Sequence, residues 1–127
     1  MKRLSFLTLL FLVALNISCA RNSETKHEDA ILGRWELQEV INGVKYYISF
    51  NPNQTITQVF VAPDGYKRIY SGRWSIDSDT LFMQDSRGDY KLLISETSDS
   101  TLMLIRQDSL AMICERLSEN EHYIFEP

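Results

Sequence analysis

The sequence predicts an all-β fold, an eight-stranded antiparallel up-and-down barrel. Short β-rich runs alternate with turn residues between residues 31 and 117. No stretch of that span sustains helical periodicity. The connections are too short for crossover helices, so consecutive strands must pair antiparallel. Eight such strands can close on themselves and so remove their exposed edges. A two-sheet sandwich is the alternative.

The first strand, 32–41, ends at Asn42-Gly43, a two-residue hairpin signal of the I′ type. The second, 44–50, ends at Asn51-Pro52-Asn53, and the third, 54–61, at Pro63-Asp64-Gly65. The fourth, 66–76, stops at Asp77-Ser78, and the fifth, 80–84, at Ser86-Arg87-Gly88. The sixth, 90–95, runs into Thr97-Ser98-Asp99, the seventh, 101–106, into Gln107-Asp108, and the eighth spans 110–117. Side chains two apart share a face. On the fourth strand Tyr66, Arg68, Tyr70, Gly72, Trp74 and Ile76 therefore lie together, opposite Lys67, Ser71, Arg73 and Ser75. Tyr90, Leu92 and Ile94 form one face of the sixth strand, and Leu110, Met112 and Cys114 one face of the eighth. The third strand is apolar on both sides, with Ile56 and Phe60 against Val59 and Val61. Such a strand is buried on both faces or touches a partner.

Ahead of the strands, Lys2 and Arg3 precede an uncharged run from Leu4 to Ile17. That is the charged start and apolar core of an export signal. The run is too short for a transmembrane helix, which needs roughly 20 apolar residues. Cys19 at the cleavage point, after Ser18, resembles the lipobox of bacterial lipoproteins. The resemblance implies that residues 1–18 are removed, that the Cys19 sulfur is lipidated, and that the protein is membrane-anchored in the cell envelope. The outer membrane is favoured over the inner, and secretion is the alternative if Cys19 is not lipidated. Residues 19–30 read as the lipidated cysteine and a flexible tether, because no aliphatic residue follows Ala20 up to Asp29. The barrel domain spans 31–117, and 118–127 form a C-terminal tail.

The 127-residue chain carries a formal net charge of −4, which becomes about −6 once Lys2 and Arg3 leave with the signal. An acidic chain without a basic cluster argues against nucleic acid as a partner. The two histidines, His27 in the tether and His122 in the tail, are too far apart to suggest a metal site. Asp77, Asp79, Asp85 and Asp89 cluster around two turns, where aspartate is ordinary. No phosphate-binding glycine loop and no Gly-x-Ser-x-Gly elbow occurs. Cys114 reads as a small buried hydrophobe, or as a disulfide partner of Cys19 if that residue stays free. No catalytic residue, metal or cofactor is expected, and a monomer is.

Two triplets repeat: Gly33-Arg34-Trp35 in the first strand and Gly72-Arg73-Trp74 in the fourth. In full, Gly33-Arg34-Trp35-Glu36-Leu37, Gly72-Arg73-Trp74-Ser75-Ile76 and then Asp79-Thr80-Leu81 resemble the small lipocalin-like domains of bacterial, Bacteroidetes-type lipoproteins. The resemblance covers the whole folded part. It implies that glycine bends the strand at a barrel rim and that tryptophan plugs the closed end. It also implies an arginine lying over that tryptophan, Arg116 first and Arg106 second. The implied function is then non-enzymatic, with Tyr70, Trp74 and Tyr90 lining whatever small hydrophobic ligand the barrel can hold. The alternative is a protein-interaction or protease-inhibitor-like module at the envelope, with residues 20–29 as the inserting segment. An eight-stranded barrel is only just wide enough for its own side chains or one small ligand. Trp35, Phe50, Phe60, Tyr70, Trp74, Phe82 and Tyr90 are therefore expected to fill it.

Overall fold

The computed structural model describes residues 27–127. The expected leader, Cys19 and residues 20–26 lie outside the described residues. Eight strands follow in order: β1 (Gly33–Leu37), β2 (Lys45–Phe50), β3 (Thr55–Val61), β4 (Lys67–Asp77), β5 (Thr80–Asp85), β6 (Gly88–Thr97), β7 (Thr101–Ile105) and β8 (Ala111–Arg116). Each pairs antiparallel with the next, and β8 pairs back onto β1, so the sheet is a closed barrel. Among the described residues, closure leaves no unpaired strand edge along which another chain could add.

Several strand boundaries differ from those read in the sequence. Residues 38–41 leave the sheet instead of prolonging β1. The chain returns through a tight turn in which Val44 N–H donates to the Ile41 carbonyl at 2.9 Å. Asn42 (φ 54) and Gly43 (φ 77) both adopt left-handed backbone there, the conformation that an Asn-Gly pair favours. β6 is longer than expected, and its register against β7 shifts between Ile94 and Glu96. Tyr66, expected on the inward face of the fourth strand, precedes β4 and is exposed.

One end of the barrel is filled. Trp35 is wholly buried, and its indole N–H donates to the Ile31 carbonyl at 2.8 Å. Phe50 meets Trp74 edge-on, with centroids 5.5 Å apart. Trp74 in turn donates to the Asn51 carbonyl at 3.1 Å. Arg116 lies across this end, 4.2 Å from the Trp35 ring centroid. Its guanidinium donates to the carbonyls of Leu32 and Ala30 at 2.6 and 2.8 Å, and its Nε donates to Asp99 at 2.6 Å. Gly33 (φ 121) makes room for it, since a Cβ there would stand 2.5 Å from Arg116 Nη1. Gly72 answers a different crowding, because a Cβ there would collide with the Gln84 carbonyl across the strand pair.

This end also corrects the extent of the tether. Residues 27–31 are helical, and Ile31 is fully buried among the core side chains. The carbonyls of Ala30 and Ile31 are held by Arg116 and Trp35, so the last residues assigned to the tether belong to the barrel's closure.

The two-sided third strand has its explanation in the tail. Tyr47 and Val59 point outward from β2 and β3, and a short 3₁₀ helix, Glu119–Phe125, lays Ile124 and Phe125 over them. Lys67 Nζ holds the helix by donating to the carbonyls of Tyr123 and Ile124 at 3.4 and 3.3 Å. The outer apolar patch is covered by the chain itself.

Candidate functional site

The opposite end of the barrel is hollow. A cavity of about 630 Å³ opens there, walled by Leu37, Ile48, Met83, Leu92, Leu104 and Cys114. That size lies within the range of small-molecule sites, roughly 300–1,000 Å³. Ile41 and Leu110 stand on its rim, 53% and 57% exposed. A larger depression, about 910 Å³, is lined mostly by polar side chains such as Arg73, Gln84, Asp89 and Lys91. Its apolar lining, from Trp74, Phe82, Met83 and Leu92, is interrupted by these polar and charged groups.

The expectation of a filled barrel is therefore corrected. Trp35, Phe50 and Trp74 crowd the closed end. Phe82 pairs across β5 with Ser75 and Lys91 on the outward register, and Lys91 lies over its ring. Phe60 and Tyr90 border the mouth. The large residues were counted correctly, but they divide between the two ends and the outside, which leaves the middle of the open half empty.

One wall of the cavity is polar. Asp85 ends β5 on the inward register, and its carboxylate is 1% exposed. Arg87, in the β5–β6 turn, donates to it from Nη2 at 2.7 Å and from its backbone N–H at 2.7 Å. Gln58 Nε2 donates to the same carboxylate at 2.8 Å. Tyr46 O–H donates to Gln58 Oε1 at 2.6 Å. The Arg87 guanidinium stacks 3.9 Å from the Tyr70 ring centroid and 5.2 Å from that of Phe60. A carboxylate so placed would be costly alone, but its charge and lone pairs are met here. The Arg87 hydrogen bond holds the Asp85 carboxyl below its ordinary range, so it is ionised at neutral pH. Burial pushes the Tyr46 phenol up, so it keeps its proton.

Cys114 is free and fully buried, and burial pushes its thiol up to about 12. A nucleophile needs the thiolate, so this cysteine serves as cavity wall. Among the described residues no three His, Cys, Asp or Glu side chains converge as metal ligands. Asp79 meets His27 at 3.2 Å at the exposed rim of the closed end.

The residues picked from sequence fall in three places. Tyr90 lines the cavity. Tyr70 stands behind the polar wall, beneath Arg87. Trp74 does not line the cavity, because Phe50 and the Asn51 carbonyl hold it in the closed end. Arg116 takes the place over Trp35. Arg106, the second choice for it, stands at the opposite end on the cavity rim, 3.5 Å from Asp108. Tyr46, Gln58, Asp85 and Arg87 were missed. The available signal was parity: Gln58 lies between Ile56 and Phe60, and Asp85 follows Leu81 and Met83, on faces that are otherwise apolar.

Comparison with known proteins follows the same lines. The model of the lipocalin-like domain family matches residues 31–104. A lipocalin-like protein from Bacteroides uniformis ATCC 8492 superimposes with a TM-score of 0.59 at 15% identity, over 69% of this chain and 99% of that one. An uncharacterized protein from Bacteroides eggerthii DSM 20697 does so with a TM-score of 0.56 at 11% identity, over 68% and 99%. At such identities the likeness is one of fold. No curated protein matches the chain.

Proposed function

The chain belongs to the lipocalin-like domain family, and on that premise we propose that it holds one small, mainly apolar molecule in the open half of its barrel. The observation that carries this reading is the cavity of about 630 Å³, apolar on most sides and polar on one. Such a site favours an apolar body with a single polar group, because burying an unmatched polar group costs free energy. The family is generally non-enzymatic, and an unactivated Cys114 fits a binding role. The protein works from the cell envelope, tethered through Cys19, as the leader and the position of that cysteine support. Each buried methylene is worth about 0.8 kcal/mol, so the two or three acyl chains of a bacterial lipoprotein make release negligible.

Native mass spectrometry of the protein purified from its own membranes tests the binding reading. A mass increment that denaturation removes is the expected result, and a bare chain that also fails to take up any alkyl ligand contradicts it. Cys19→Ser tests the anchor: the variant should leave the membrane fraction or remain as unprocessed precursor. Processed variant that still sediments with membranes at the wild-type level would rule the anchor out. The exposed rim residues Val40, Ile41 and Leu110 favour a second reading, a protein-interaction module, which becomes the better account if the cavity takes no guest.

A further inference from the structure

We infer that the guest carries a hydroxyl, which Tyr46 accepts, and that this wall selects an alcohol over an ether or a carboxylate of the same chain length. The inference rests on the carrier reading above and adds the polar chemistry of the ligand.

The direction of the polar chain is fixed from one end. Arg87 has only hydrogens to give, so Asp85 accepts. The ionised Asp85 has none, so the side of Gln58 facing it at 2.8 Å is the amide nitrogen. That orientation turns Gln58 Oε1 toward Tyr46. Oε1 can only accept, so Tyr46 spends its single hydrogen there, at 2.6 Å. The phenol oxygen keeps its lone pairs, and among the described residues nothing donates to it. Tyr46 and Gln58 both line the cavity, and Gln58 is only 4% exposed. Reversing the chain requires a proton on Asp85, which Arg87 opposes.

The cavity wall therefore presents an acceptor that wants a donor. A hydroxyl supplies one, whereas an ether oxygen and a carboxylate offer only lone pairs and face another lone pair. Gln58 retains one amide hydrogen, which any of the three can accept, so it does not discriminate. The cations do not rescue a carboxylate inside the barrel. The charge of Arg87 is already matched by Asp85 and its plane lies against the Tyr70 ring, and Arg106 is exposed at the rim beside Asp108.

Calorimetric titration of the purified full chain with n-decanol, decyl methyl ether and decanoate at neutral pH tests this. The alcohol should bind about tenfold more tightly than the other two, equivalent to about 1.4 kcal/mol. Gln58→Leu frees the Tyr46 hydrogen to turn toward the ligand, so the ether should gain and the alcohol-to-ether ratio should fall toward one. Equal binding of the three by the wild-type protein, or tightest binding of decanoate, overturns the hydroxyl inference and leaves the carrier reading standing. Binding of none overturns both. A Gln58→Leu variant that retains the tenfold ratio contradicts the role given to the chain. If that variant fails to fold, the wild-type ratios still decide.

Discussion

The two ends of this barrel are built from the same strands and solve opposite problems. The closed end spends its largest side chains on filling space. Trp35, Phe50, Trp74 and Ile31 interlock there, and Arg116 seals the opening by donating to three backbone carbonyls. The open end spends polar groups on one wall and leaves its centre empty, at about 630 Å³. Close packing supplies stability and apolar voids forgo it. The difference teaches that stability and binding are divided lengthwise along the strands, with each strand contributing to both.

That division is broken most forcefully at Trp35. Replacing it with Ala should cost about 3–5 kcal/mol, while Met112→Ala, beside a cavity that is already open, should cost about 1 kcal/mol or less, because few packed neighbours are lost. Urea denaturation of both variants checks this, and equal losses would erase the contrast between the ends. Arg116→Lys comes next, with an expected cost of about 2 kcal/mol. Lysine cannot reach three carbonyls and cover the indole at once, as a planar guanidinium does. A Lys variant as stable as wild type would mean that the seal adds nothing beyond its charge.

A smaller effect is expected at Asp85. Its carboxyl titrates below the ordinary value of 3.8 in the folded protein. The ion pair with Arg87 therefore contributes its full stability above about pH 4, and loses it as pH falls through the depressed value. Wild-type protein should lose more stability between pH 6 and pH 3 than Asp85→Asn does. Parallel losses in the two proteins would show that the polar wall is not strained by acid, and so is not held by the ion pair.

Much of this architecture was legible in the residues. Asn42-Gly43 announced its turn, and the repeated Gly-Arg-Trp marked Trp35 and Trp74, the two indoles that crowd the closed end. The cavity was not legible, because alternation says which way a side chain points but not how far along the barrel it lies. Trp74 and Tyr90 share the inward face and one cross-strand row through Met83, yet only Tyr90 lines the cavity. The polar wall was hidden for a related reason. Tyr46, Gln58 and Asp85 come from β2, β3 and β5, and only the register of the closed sheet brings them to one place. Arg87 looked like a turn residue, which it is; its side chain folds back over Tyr70. The outer faces of Tyr47 and Val59 needed the tail's Ile124 to make sense.

The central claim is that the empty half of the barrel is a binding site, and Met112→Trp tests it most directly. Met112 is partly buried, lines the cavity and lies far from Trp35 and Arg116 along the strand. An indole there should occupy the void with little strain, leaving stability within about 1.5 kcal/mol of wild type. Titrated with n-decanol, wild-type protein should bind saturably and the Met112→Trp protein should not bind at all. Undiminished binding by a folded Met112→Trp variant would place the guest elsewhere and contradict the account.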